Sequence, residues 1–128
     1  MSDARGIILI VDDDEEIREV ISEMVRQMEF EVTDVPSTAE ARKWLDKNVP
    51  MLVILDIMMP GGNGLVLCRW IRAQPRLEST PVLLNSGLKD DATMRDGMEL
   101  GAVDFIQKPF NIKTLKEKIT KYLGKARS

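Results

Sequence analysis

The sequence contains no histidine and only one cysteine, Cys68. One cysteine cannot form an internal disulfide bond, so the chain is not a secreted domain held together by disulfides. Without histidine, and with one thiol, it has too few of the ligands that bind structural or catalytic zinc. The chain also has no basic segment followed by an apolar segment at its start, so we expect a cytoplasmic protein.

Long hydrophobic runs and a net positive charge are also missing. The longest apolar stretches, residues 6–11 and 51–55, are far shorter than the ~20 residues that a membrane-spanning helix needs. The formal net charge of -3 argues against a protein whose whole surface binds nucleic acid. We therefore expect no membrane partner and no direct nucleic-acid partner, with binding through a local patch left open.

The composition is that of one compact globular domain. The chain has 128 residues, of which 44% are hydrophobic and 30% are charged, and this excludes disorder, collagen and coiled coil. We predict that residues 1–128 form a single domain whose folded core covers about residues 6–124.

Short apolar runs rich in valine, isoleucine and leucine alternate with longer amphipathic stretches. This alternation is typical of a parallel sheet whose strands are joined by crossover helices, an α/β fold of the (βα)5 type. The predicted strands are residues 7–11, 31–34, 51–56, 82–86 and 103–107. The second of these is the most polar, so we place it at an edge of the sheet.

Each predicted strand is followed by a predicted helix. The first helix has an apolar stripe from Ile17 to Met28 with a spacing of three and four residues. The other helices are predicted at residues 39–45, 65–73, 92–100 and 112–123. Four residues are placed to cap helix starts, namely Asp14, Ser37, Asp90 and Asn111.

Polar side chains stand where the predicted strands end. In open parallel α/β sheets, ligands bind beyond the carboxyl ends of the strands. The residues at these ends are Asp12 and Asp13, Asp56, Ser86 and Lys108. Together they would supply carboxylates, a hydroxyl and an ammonium group to one region.

The carboxylates of this set indicate a site for a hard divalent cation. Helix capping explains the acidic residues 14–16, but it does not explain Asp12 and Asp13. These two would share a small volume with Asp56, and three close carboxylates repel each other unless a cation neutralises them. A ligand set made only of oxygen favours Mg²⁺ or Mn²⁺ over zinc.

Asp56 is the candidate reactive group. It follows an apolar run, so ordinary surface charge explains it poorly. A carboxylate beside a metal ion can attack phosphorus and form an aspartyl phosphate. Lys108 would stabilise the charge on the transferring phosphoryl group, and Ser86 would donate a hydrogen bond to one of its oxygens.

Four fragments carry these residues: ILIVDDDEEIR, LVILDIMMPGGNG, TPVLLNSG and GAVDFIQKPF. In this order and at this spacing they resemble the receiver domain of two-component response regulators, of the kind found in chemotaxis, over nearly the whole chain. The resemblance implies a flavodoxin-like doubly wound five-stranded parallel sheet with strand order 2-1-3-4-5. It implies a phosphoprotein of signal transduction that accepts a phosphoryl group from a histidine kinase or phosphotransfer protein. Such a module is not an enzyme beyond self-catalysed phosphotransfer and autodephosphorylation.

Carried over position by position, the resemblance makes Asp56 the phosphoacceptor. It implies Mg²⁺ (or Mn²⁺) as the cofactor. The ligands would be Asp13 directly, Asp12 through water, Asp56, and the backbone carbonyl of Met58. By the same resemblance, Met58 would also flank the path of the attacking water, as would Leu88. Neither side chain can orient or deprotonate water, so we expect the phosphorylated state to decay slowly.

The resemblance also implies a conformational switch. Ser86 stands at the family's switch hydroxyl, Phe105 at its aromatic switch position, and Lys108 matches its lysine. Drawing the hydroxyl toward a phosphoryl group would free space for the aromatic ring to turn inward. A downstream protein or output domain would then bind the face formed by the fourth helix, fifth strand and fifth helix. Gly97, inside the predicted fourth helix, is expected to weaken that helix.

Asn85 departs from the family pattern, because receivers usually have an apolar residue at this position. It puts a polar group that needs hydrogen-bond partners in or near the core. Its purpose has no explanation in the sequence.

Two other functions are weighed against the receiver. The run Asp12-Asp13-Asp14 contains the DxD of phosphohydrolases of the haloacid dehalogenase type, but that motif continues to threonine or valine where this chain has Glu16. The chain also lacks a cap or substrate pocket of its own. A structural pseudo-receiver would lack the acidic pair, Asp56 or the lysine, and all are present. The cognate kinase, the output pathway, the oligomeric state and the choice between a stand-alone and an excised receiver are not determined by the sequence.

Overall fold

The computed structural model describes residues 6–57, 59, 64–87, 91–107 and 111–123. Five strands form one sheet: β1 (Ile7–Val11), β2 (Glu31–Val35), β3 (Leu52–Asp56), β4 (Val82–Ser86) and β5 (Asp104–Gln107). All neighbouring strands are parallel and their order is β2-β1-β3-β4-β5. The predicted flavodoxin-like topology is therefore confirmed.

The burial of the strands agrees with their positions in the sheet. Every residue of the central strand β3 is buried, which matches its continuous apolar run. The polar strand β2 pairs only with β1 and lies at the edge, as its composition predicts.

Five α-helices and one short 3-10 helix connect the strands. The α-helices are α1 (Glu15–Gln27), α2 (Thr38–Leu45), α3 (Gly64–Arg72), α4 (Asp91–Glu99) and α5 (Ile112–Leu123). The 3-10 helix at Pro75–Leu77 was not predicted, and it begins at a proline, which suits a first helical position. Within the described part of the chain, no helix has the length and apolar character needed to cross a membrane.

Three of the predicted caps form as expected. The Asp14 carboxylate accepts hydrogen bonds from two backbone N–H groups of the first turn of α1, at 3.0 and 3.2 Å. The Ser37 hydroxyl caps α2 and the Asn111 side chain caps α5 in the same way. These caps satisfy backbone donors that the helices leave free and fix where each helix begins. The fourth predicted cap, Asp90, lies outside the described residues.

The core has two layers, one on each face of the sheet. One layer packs the sheet against α2 and α3 and includes Leu55, Leu84 and Ile71. The other packs the sheet against α1 and α5 and includes Ile54 and Leu83. Because side chains alternate along a strand, successive residues of β3 and β4 enter opposite layers.

Asp104 ties α5 to the edge strand β5. Its carboxylate accepts hydrogen bonds from Tyr122 Oη at 2.8 Å, from Lys118 Nζ at 3.0 Å and from the backbone N–H of Phe105 at 2.8 Å. Burial alone would raise the pKa of Asp104, but these hydrogen bonds and the charge of Lys118 outweigh it and hold that pKa below its usual value.

A lowered pKa makes this contact pH-dependent. The stabilisation is present above the ordinary pKa of an aspartate and is lost as the pH falls through the lower folded-state value. We expect Asp104→Asn to reduce the free energy of unfolding at pH 7 by at most about 1 kcal/mol, because the carboxylate is partly solvated. The difference from the parent should shrink below about pH 4, the region where free aspartate takes up a proton. Urea unfolding of both proteins between pH 7 and pH 3 measures this, and a gap that stays constant over that range would contradict the assignment.

Candidate metal centre

Three aspartates meet at the carboxyl edge of the sheet. Asp56 is the last residue of β3, and Asp12 and Asp13 follow directly after β1. Strands β1 and β3 are neighbours, with Val11 in register with Leu55, so the residues that follow these two also stand side by side. Each aspartate can offer a carboxylate oxygen, and these oxygens lie within 4.8 Å of one another.

The three side chains differ in exposure. Asp12 is fully buried and Asp56 is 4% exposed, whereas Asp13 faces solvent. Two hydrogen bonds hold Asp12 in place. Its backbone carbonyl accepts one from Arg18 Nη1 at 2.9 Å, and its side-chain carboxylate accepts one from the N–H of Asp14 at 2.9 Å. The cluster therefore has a buried base held by hydrogen bonds and one side open to water.

This donor set fits a hard divalent cation. Carboxylates this close repel one another, and burial of two of them removes the water that would screen that repulsion. Mg²⁺ prefers oxygen ligands and keeps several waters, which an exposed side of the site allows. The cluster can thus bind a metal ion of the kind expected from the sequence.

The remaining predicted site residues are only partly described. Phe105 lies on β5, half-buried, with its ring packed against the core layer of α2 and α3. Met58, Leu88 and Lys108 lie outside the described residues, as does the side chain of Ser86, although the backbone of Ser86 ends β4 as predicted.

Gly64 contacts the site in a way that sequence reasoning missed. It is the first residue of α3, and its N–H donates a hydrogen bond to the carbonyl of Ile57 at 3.1 Å. A Cβ built on Gly64 would lie 2.2 Å from the carbonyl oxygen of Asp56. A glycine at the start of a predicted helix was the available signal, and here it marks a close approach of two backbones.

Asn85 is the second residue whose place in the site was missed. The sequence places Asn85 in or near the core, and the residue is 1% exposed. The new information is its neighbour, because Asn85 of β4 is in register with Asp56 of β3.

Removing one of the crowded carboxylates tests the electrostatics of the cluster. We expect Asp13→Ala to weaken Mg²⁺ binding by roughly tenfold or more, since even residues behind the ligands typically contribute that much to metal affinity. In metal-free buffer the same change should raise the free energy of unfolding, because it relieves repulsion on Asp12 and Asp56. Titration with Mg²⁺ and urea unfolding in the presence of a chelator measure the two effects. A metal-free variant less stable than the parent would contradict the crowding argument.

Comparison with known proteins supplies an independent line of evidence. The family model for the response regulator receiver domain matches residues 8–120. The transcriptional regulatory protein GltR of Pseudomonas aeruginosa is 40% identical over 119 residues, which cover 93% of this chain and 49% of that protein. Protein PetR of Rhodobacter capsulatus is 38% identical over 115 residues, covering 90% of this chain and 47% of that protein. The chain spans about half the length of the curated relatives it matches.

Solved structures with the same fold are also similar in sequence. The chemotaxis protein CheY4 of Vibrio cholerae matches with a TM-score of 0.88 and 27% identity, over 92% of this chain and 98% of that one. The signal receiver domain of a signal transduction histidine kinase from Syntrophus aciditrophicus matches with a TM-score of 0.85 and 34% identity, over 96% of this chain and 94% of that one.

Proposed function

This chain belongs to the response regulator receiver domain family of two-component systems, and from that premise we propose that it is a phosphoacceptor module in which Asp56 takes the phosphoryl group. The observation that carries the proposal is the acidic cluster. A nearly buried carboxylate ends the central strand, within 4.8 Å of two others that can share a cation with it.

In this proposal Asp56 acts as a nucleophile. One of its carboxylate oxygens forms a bond to phosphorus while the bond between phosphorus and the donor group breaks, and the donor leaves with the electron pair. Bound Mg²⁺, held by Asp12, Asp13 and Asp56, would neutralise the charge that collects on the phosphoryl oxygens. The exposed position of Asp13 keeps this side of the site open to a donor.

Other roles follow from the family resemblance. We assign the backbone carbonyl of Met58 to the metal, and Lys108 and the Ser86 hydroxyl to the phosphoryl group. Met58 and Leu88 are assigned to the slow loss of phosphate. Phe105 is assigned to the switch, and its half-buried ring at the edge of the core suits a side chain that changes position.

The partners belong to the same proposal. A histidine kinase or phosphotransfer protein would supply the phosphoryl group, in the cytoplasm. The signal would pass to a downstream protein or output domain through the face of α4, β5 and α5. We place the receiver at residues 1–128 as a single domain, with a folded core at about 6–124.

Incubation with acetyl phosphate and Mg²⁺ tests the proposed function. We expect acid-labile labelling that approaches one phosphoryl group per chain, without turnover of an added phosphoester. Multiple turnover on an added phosphoester would instead indicate a phosphohydrolase, and absence of any reaction would indicate a pseudo-receiver. Either of these results would overturn the proposal.

A further inference from the structure

Asn85 stands beside the proposed phosphoacceptor, on the same face of the sheet. Leu83 of β4 and Ile54 of β3 both enter the core layer of α1 and α5. Side chains two residues further along each strand point to the same face, and these are Asn85 and Asp56. The two residues are directly in register across the parallel pair.

The carboxamide of Asn85 is buried and has no hydrogen-bond partner among the described residues. The residue is 1% exposed, and neither its Nδ2 nor its Oδ1 makes a hydrogen bond within the part of the chain that the structure describes. Burying an amide without partners costs free energy that an apolar side chain of the same shape would avoid. The rest of β4 is apolar up to this point, so the polar group is an exception that needs an explanation.

The order of the strands indicates where a partner would come from. Strand β3 lies between β1 and β4, so Asp12 flanks Asp56 on one side and Asn85 flanks it on the other. The cation would therefore be held on the β1 side of Asp56. Asn85 lies on the other side of Asp56 from the cation ligands of β1.

We propose that Asn85 assists the loss of phosphate from Asp56, with its Nδ2–H donating a hydrogen bond to the Asp56 carboxyl group once the site is loaded. This inference rests on the proposed function, because it requires that Asp56 carry a phosphoryl group. Asn85 Nδ2 has no hydrogen-bond partner among the described residues, and the carboxyl group of a phosphorylated Asp56 would give it one.

The hydrogen bond would act on the loss of phosphate. In hydrolysis, the oxygen of water forms a bond to phosphorus and the bond between phosphorus and Asp56 breaks. The electron pair stays on the departing carboxylate, and the proton of the water leaves with inorganic phosphate. A donor aimed at that carboxylate stabilises the charge as it develops, so Asn85 speeds hydrolysis even where no side chain activates the water.

A spectroscopic test uses the unaltered chain. The Asn85 side-chain amide signals are followed by ¹H–¹⁵N NMR while Mg²⁺ alone, and then Mg²⁺ with beryllofluoride, is added. We expect one amide proton to move downfield and to exchange with water more slowly in the beryllofluoride state. Signals that stay unchanged while backbone signals around Asp56 move would overturn the inference.

A kinetic test uses Asn85→Leu, which keeps the approximate shape and removes the polar atoms. The protein is labelled with acetyl phosphate, the donor is removed, and the decay of the label is followed. We expect the lifetime to lengthen by roughly tenfold or more, the effect of losing one hydrogen bond to a charged group. The matched control is Ser22→Ala in α1, which removes another buried polar group without a hydrogen-bond partner among the described residues but lies outside the acidic cluster. It should leave the lifetime unchanged.

The possible failures are distinguishable. If the parent chain takes no label, the proposed function itself is overturned. If the parent is labelled and Asn85→Leu decays at the parent rate, the proposed function stands and the role of Asn85 is overturned.

Discussion

Asp56→Asn is expected to abolish labelling by acetyl phosphate while leaving the fold intact. The amide of asparagine is not a nucleophile toward phosphorus, so the step that forms the aspartyl phosphate has no substitute. Asparagine has nearly the same shape as aspartate, and its neutral side chain relieves repulsion within a cluster whose oxygens lie within 4.8 Å of each other. Labelled protein should therefore fall below detection, with no loss of stability in metal-free buffer.

A matched control distinguishes the loss of Asp56 in particular from the general effect of changing an aspartate to asparagine. Asp46→Asn changes an exposed aspartate at the end of α2, outside the acidic cluster. This variant should be labelled at the parent rate and to the parent extent. Mass spectrometry of the intact chains measures both. Labelling of Asp56→Asn at the rate of the control would remove Asp56 from the proposed chemistry.

The fold was predictable because short-range patterns carry most of its information. Apolar runs locate the strands, and the polar character of Glu31–Val35 places that strand at the edge. The predicted and observed strand boundaries differ by one residue at β2, β3 and β5. Hydrogen bonding between neighbouring strands determines where a strand begins and ends, and the side-chain pattern does not show it. The 3-10 helix at Pro75–Leu77 is too short to have a periodic pattern, so it was missed.

The gathering of the aspartates was predictable for a different reason. Parallel strands bring their carboxyl ends to one edge, so acidic residues at the ends of the first and third strands must meet if those strands are neighbours. The place of Asn85 was not predictable in this way. It depends on the register between β3 and β4, which sets Asn85 opposite Asp56, and register is a tertiary property.

Gly97 shows how a local rule can miss a tertiary reason. The sequence predicts that it weakens α4, and it does lie inside that helix. A Cβ built on it would lie 2.3 Å from Cδ1 of Leu84 and 3.3 Å from Cδ2 of Leu65. The glycine therefore lets α4 approach β4 and α3 closely. Because the two elements are in direct contact, a shift of β4 would displace α4 as well.

Gly64→Ala is expected to cause the largest loss of stability among single substitutions near the site. The added Cβ would lie 2.2 Å from the carbonyl oxygen of Asp56 and 2.9 Å from Cα of Ile57. Both are backbone atoms, so no side chain can turn away to relieve the contact. Overpacking of this kind typically costs about 1–3 kcal/mol, and urea unfolding measures it. The control is Gly87→Ala, whose Cβ meets nothing within 4 Å and whose stability should stay within about 0.5 kcal/mol of the parent.

The same substitution also tests whether α3 sets the position of Asp56. The hydrogen bond from Gly64 N–H to Ile57 joins the start of α3 to the residue that follows Asp56, so relief of the clash must move either the helix or the end of β3. We expect Asp56 and Ile57 to move, because α3 is fixed by Leu67, Cys68 and Ile71 in the core. The initial rate of labelling by acetyl phosphate should then fall together with stability. A variant that loses stability but keeps the parent labelling rate would show that α3 yields instead.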